Sequence, residues 1–192
     1  YDMDRGEEID RFHTKIKLKP ETISKIKDQS KEPDDPKNFT IQKIFKTTRY
    51  GDKNAPFSEY KQAYQEWVDW VNRYDRPILV AQNAGFDMGH MFAPLKDLGI
   101  RRPNYEEVID TMILARVWIY PLLKASAELG DQESEEMLNK FNVERGGKVK
   151  PSFALNKLGQ AFNVTTDHWH SGIADALQTL GVLNKMLSIL RD

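Results

Sequence analysis

Cysteine is absent from the 192 residues. That excludes a disulfide framework, a thiolate nucleophile and a thiolate metal site, and it fits a reducing compartment, so a cytoplasmic location is the expectation. No apolar run approaches the ~18 residues that a membrane span requires, and no membrane partner is expected. The acidic, polar opening Tyr1-Asp2-Met3-Asp4 has no signal-peptide character. Net charge is also scarce, at -1. Proteins that grip duplex DNA by its phosphates are usually basic, so a large, tight duplex-binding surface is disfavoured. An enzyme that holds a few nucleotides in a carboxylate-lined cleft remains compatible, because metal ions can offset phosphate charge there.

What is present reads as one α/β domain. Tyr1 to Leu18 suggests a hairpin: a turn at Arg5-Gly6-Glu7-Glu8, then Ile9, Phe12, Thr14, Ile16 and Leu18 as a mostly alternating strand closed by Pro20. Residues 28–38, DQSKEPDDPKN, read as a surface loop. A short apolar patch follows from Phe39 to Phe45, and residues 46–57 are again polar. Ser58 is a candidate cap for a helix on which Tyr60, Ala63, Tyr64, Trp67, Val68, Val71 and Tyr74 recur at helical spacing. Pro77 to Ala81 reads as a strand buried on both faces. Gln82 to Gly85 turns the chain, and Phe86 to Leu98 forms a helix interrupted or ended early at Pro94, with Gly99 behind it.

Val108 to Tyr120 reads as a strand passing into a helix that stops before Pro121. Leu122 to Leu129 and Glu133 to Phe141 suggest two helical pieces separated by Gly130-Asp131. Arg145, Lys148 and Lys150 fall in a glycine-containing loop, and Ser152 is placed to cap a helix carrying Leu155, Leu158, Ala161 and Phe162. A final helix starts near Ser171, with Ala174, Leu177, Leu180, Leu183, Leu187 and Leu190 as its expected buried stripe.

Among 29 acidic residues most must be solvated, so position decides which matter. Asp87 follows a buried strand and a short turn. In α/β proteins ligands bind beyond the carboxyl ends of strands, although an Asp in a helix's first turn can simply stabilise its dipole. Asp175 sits among Ala174, Ala176 and Leu177, where a carboxylate needs a salt-bridge partner or a metal. His170, five residues earlier, could converge on it from the loop and accept a proton near neutral pH. His168 is its nearest competitor. Asp110, between Val108-Ile109 and Thr111, is assigned a structural role at a strand–helix join rather than a ligand role.

Gln82-Asn83-Ala84-Gly85-Phe86-Asp87 resembles the second motif of the DnaQ-like, DEDDh-type 3′-5′ exonucleases. His170-Ser171-Gly172-Ile173-Ala174-Asp175 is similar to their third motif. Asp110-Thr111 with Leu114-Ala115-Arg116, the stretch SFALNKLGQAFNV from Ser152 to Val164, and FHTKIKLKP from Phe12 to Pro20 resemble other family segments in the same order. The resemblance implies a ribonuclease H-like mixed sheet flanked by helices. It implies Asp87 and Asp175 as metal ligands, His170 as general base, and Asn83 and Phe86 as substrate-cleft residues. Two magnesium ions would serve catalysis, with manganese as a substitute. The substrate would be a single-stranded 3′ end, DNA by expectation and RNA as the alternative, and the partner a DNA polymerase or other replication protein.

The chain departs from the family in one place. No Asp-x-Glu pair precedes the hairpin, so the first strand is expected to lie outside these residues, and residues 1–192 alone are expected to show little or no exonuclease activity. Two alternatives stand beside that expectation: Asp2 and Asp4 act as the pair, or the domain has lost catalysis and kept a structural or binding role. Residues 28–57 and 121–151 read as insertions.

Overall fold

The computed structural model describes residues 1–12, 14–16, 57–166 and 172–191. The chain is α/β, and it divides into two compact units: Tyr1–Arg76 with Phe92–Tyr105, and Pro77–Met91 with Glu106–Asp192. Among the described residues, no helix is long and apolar enough to cross a membrane.

In the first unit an antiparallel bridge joins Asp2 to Glu7, and Gly6 takes φ +69° in the turn between them. Of the strand expected from Ile9 to Leu18, residues 9–12 are not strand, and Leu18 and Pro20 lie outside the described residues. The described strand is β1, Lys15–Ile16, and it pairs in parallel with β2, Phe57–Ser58. Side chains hold residues 8–11 instead of a ladder. Glu8 pairs with Arg11, and Asp10 Oδ2 accepts from Trp70 Nε1 and Tyr74 Oη at 2.9 Å each. Those two donors lie on and just beyond α1, Tyr60–Val71, whose buried face is Ala63, Tyr64, Val68 and Val71, close to the expected stripe. Ser58 does not cap this helix. Glu59 is the N-cap residue, while Ser58 lies in β2 and donates from Oγ to Glu66 Oε2 at 3.1 Å.

α2, Ala84–Leu98, runs straight through Pro94. A proline inside a helix costs about 3 kcal/mol. Phe92 and Leu95 flank it and are both buried, which holds the helix together. The helix ends as expected at Gly99, with φ +66°. Gly99 N donates to Lys96 O and Ile100 N to Leu95 O at 2.8 Å, and buried Ile100 and Leu95 complete the motif.

In the second unit β3, Leu79–Ala81, pairs in parallel with β4, Val108–Asp110, in the register Leu79↔Val108 to Ala81↔Asp110. The preceding run is less buried than expected: Ile78 is 53% exposed and Leu79 and Val80 are half-buried. α3, Thr111–Leu114, continues into a π-helical stretch, Ala115–Ile119, and then α4, Tyr120–Glu128. The helix therefore does not stop before Pro121. Tyr120 N donates to Ala115 O, five residues back, and this widened turn precedes a residue that has no N–H to place.

α5, Gln132–Phe141, follows as expected, capped by Asp131, which accepts from Ser134 N at 3.2 Å. The segment read as a loop around Arg145 is instead a hairpin: β5, Asn142–Arg145, and β6, Lys148–Pro151, antiparallel. Its two-residue turn is Gly146-Gly147, with φ +59° and +72°, the conformation that a tight hairpin demands and that glycine supplies. α6, Leu155–Ala161, has Ala154 rather than Ser152 as its N-cap residue. Ser152 N donates to Phe141 O at 2.9 Å.

α7 spans Gly172–Ile189. Its buried residues are Gln178, Thr179, Val182, Leu183 and Met186, so its inner face is rotated from the expected leucine stripe, and Leu177 and Leu190 are 45% and 44% exposed. Of the expected stripe only Leu183 is among the buried residues, because packing turned a neighbouring face bearing Gln178, Thr179, Val182 and Met186 inward. The core joins Ala115, Ile119, Leu123, Phe141, Leu158, Ala161, Phe162, Val182 and Met186. The stretch read as an insertion at 121–151 contributes Leu123 and Phe141 to this core. Of the stretch at 28–57, only Phe57 is a described residue.

Candidate functional site

Parallel pairing brings the carboxyl ends of β3 and β4 side by side, and Asp110 closes β4 there. Its carboxylate accepts four backbone N–H groups: Oδ1 from Asn83, Met112 and Ile113 at 3.2, 2.9 and 3.2 Å, and Oδ2 from Ala84 at 2.9 Å. One side chain therefore caps α3 and also satisfies orphan donors where α2 begins, as the structural assignment of Asp110 requires. Asn83 takes φ +63° in this turn, a left-handed conformation that asparagine tolerates better than most residues. Asp110→Ala should lower the unfolding free energy by about 2 kcal/mol, since four backbone donors, two of them part-buried, lose a charged acceptor at once. Urea denaturation measures it, and a loss below about 0.5 kcal/mol would show that water replaces the carboxylate.

Asp87 lies in the first turn of α2 and is half-buried. Burial pushes its carboxyl above the usual aspartate range. His90 pulls the other way, and the Asp110 charge pushes up again. Such a carboxylate is held in a setting that favours either a proton or a cation. Phe86 is 61% exposed, and its ring sits 4.2 Å from that of His90. His90 Nδ1 lies 2.8 Å from Phe86 O, and because a carbonyl only accepts, Nδ1 carries the hydrogen. Asn83 is exposed beside this pair in sequence.

Asp175 is in the first turn of α7 and half-buried, and α7 packs against β3 and α3. Its carbonyl accepts from Thr179 Oγ1 at 2.8 Å. His168 and His170 lie outside the described residues. Among the described residues no group of three or more His, Cys, Asp and Glu side chains is placed to hold a metal ion. Asp-x-Glu spacing does occur at Asp131–Glu133, but there Asp131 caps α5.

Two side chains were missed from the sequence. Gln82 Nε2 donates to Phe153 O at 2.7 Å while its Oε1 accepts from the buried Thr111 hydroxyl at 2.5 Å, tying the turn to the segment after β6. His90 was the other. Its signal was the spacing of four from Phe86 and three from Asp87, which share one helix face.

No family model, curated protein or solved structure matches the chain.

Proposed function

We propose that the chain carries a ribonuclease H-like, DnaQ-type 3′-5′ exonuclease domain that releases nucleoside 5′-monophosphates from single-stranded 3′ ends, DNA in the first instance. The observation that carries this reading is the half-buried Asp87, raised in pKa by burial, just beyond the carboxyl end of β3 and next to the end of β4. Ligand sites of α/β sheets lie at such edges. The motifs around Asp87 and Asp175 supply the rest of the support.

The donor chemistry fits magnesium. Asp87 and Asp175 offer hard oxygen ligands, and Mg²⁺ is commonly held by one or two carboxylates together with substrate phosphates and water. Two such ions, when bound, would supply charge stabilisation at the scissile phosphate and an activated water. The chain's own residues would do the following. Asp175 would help to hold one ion and Asp87 would complete the metal shell, beside the Asp-x-Glu pair that the family uses for both ions. His170 takes the water's proton as general base. Phe86 stacks on the terminal base, which must be unpaired to reach it, and Asn83 contacts the same nucleotide.

The test is degradation of labelled single-stranded DNA and RNA with free 3′ ends, with magnesium or manganese and with a chelator. A parent protein in which an Asp-x-Glu pair accompanies this domain should release nucleotides one at a time with metal only, and residues 1–192 alone should release few or none. His170→Ala should lower turnover about 10²- to 10⁴-fold, and His168→Ala far less.

A second reading is a non-catalytic interaction domain within a replication assembly. Trp118, Val117 and Ile113 favour it, since they leave 64%, 53% and 46% of their surfaces exposed along α3 and the π-helical stretch. Metal-independent inertness on both substrates would select it.

A further inference from the structure

The β5–β6 hairpin is a small ribbon with an unusual charge layout for a chain of net charge -1. All four residues of β6 are exposed. Lys148 and Lys150 alternate with Val149, which is 68% exposed, so the lysines share one face of the ribbon. Across the ladder Arg145 is the register partner of Lys148, and Val143 of Lys150. The ribbon's carboxylate residue, Glu144, pairs with Val149 and so belongs to the other face. Neither lysine is ion-paired with any described residue.

The ribbon is also anchored. Its base is closed by Ser152 N donating to Phe141 O, and Phe141 is fully buried. The Phe153 ring lies 5.7 Å from the Phe141 ring and carries the Arg116 guanidinium 5.5 Å from its centre. Phe153 O takes the Gln82 hydrogen bond, and Gln82 immediately precedes Asn83. One side chain thus ties the foot of the ribbon to the turn that leads into the helix of Asp87.

We infer that the Lys148–Lys150 face of this ribbon holds the sugar-phosphate backbone of a single strand, upstream of the nucleotide that occupies the Asp87 site. The inference takes its substrate from the exonuclease reading. Two cations about 7 Å apart on an extended strand present a line of charge to a polyanion. Such contacts position a strand without reading its sequence.

The experiment measures binding of a labelled oligothymidylate by anisotropy across a salt series, in chelator, so that binding is separated from cleavage. It compares the wild-type protein with Lys148→Ala/Lys150→Ala, Lys148→Arg/Lys150→Arg and Asp87→Asn. The double alanine variant should bind more weakly, and its slope of log K against log salt should shrink by about 1.4. The arginine pair should keep the wild-type slope. With magnesium, cleavage of a dinucleotide should be unchanged in the double alanine variant, while KM for the long strand rises. Wild-type affinity and slope in the double alanine variant would overturn the inference, as would failure of the wild-type protein to bind the strand. Salt-dependent binding that falls with the lysines, in a protein that never cleaves, would keep the ribbon and remove the exonuclease reading. Loss of cleavage with intact binding in Asp87→Asn would support both.

Discussion

Asp87→Asn should abolish metal-dependent nucleotide release while making the metal-free protein more stable at neutral pH. The activity loss is expected to exceed about 100-fold, because loss of residues that merely support a metal ligand already costs 10- to 100-fold. The stability gain follows from the same burial. A carboxyl whose folded pKa is raised is penalised in its charged form, so the native state carries a cost above that raised pKa. The cost fades as pH falls through the raised pKa and is gone below the unfolded value of about 3.9. For Asp87 the causes are burial first, relieved in part by His90 and deepened by Asp110. Asparagine keeps the shape and removes the charge. Urea midpoints in chelator should therefore be higher for Asp87→Asn than for wild type at neutral pH, and the two should converge in acid. A variant that cleaves as well as wild type would remove Asp87 from the metal site. A variant less stable than wild type at neutral pH would mean that the carboxylate has a compensating partner.

The elements that the sequence made legible were those with strong local chemistry. The stripe of α1, the glycine stop of α2 at Gly99, and the strand–turn–helix around Asp87 all follow from spacing and from turn residues. Asp110 was legible as a join residue because a carboxylate at the end of an apolar strand has few other ways to be satisfied. Misreadings came where tertiary packing overrode a local rule. Pro94 and Pro121 both lie inside continuous helices, one held by buried neighbours and the other preceded by a π-helical turn. The Gly146-Gly147 turn was read as a loop because lysines mask the alternation of β6. The inner face of α7 was misassigned because the leucines were taken to mark it, while the contacts that turn Gln178 and its neighbours inward come from α6, distant in sequence. Asp87 and Asp110 were brought together by strand register, which no local pattern encodes.

That contact between α6 and α7 carries a large expected stability effect. Gly159→Ala should destabilise the protein by about 3 kcal/mol or more, although the same change in an open helix is favourable by about 1 kcal/mol. A Cβ at Gly159 would stand 2.2 Å from Gln178 Nε2 and 2.5 Å from Val164 O. Neither atom can withdraw cheaply. Gln178 is buried and donates from Nε2 to that same Val164 O at 2.8 Å. Val164 in turn donates its N–H to Gly159 O at 2.8 Å, closing the end of α6 through Asn163 at φ +55°. Methyl insertion therefore displaces a backbone carbonyl, opens a buried amide hydrogen bond and strains a helix terminus together. Gly181 on α7 faces the same residue, with its Cβ position 2.6 Å from Val164 Cγ1, but a valine side chain can yield more than a backbone oxygen. Gly89→Ala is the internal control, because nothing lies within 4 Å of its Cβ position and it sits inside α2. It should raise stability by roughly 1 kcal/mol. Opposite signs for one substitution at two helical glycines, read from urea midpoints, would establish close α6–α7 approach as the constraint. A neutral Gly159→Ala would show that the two helices can separate without loss.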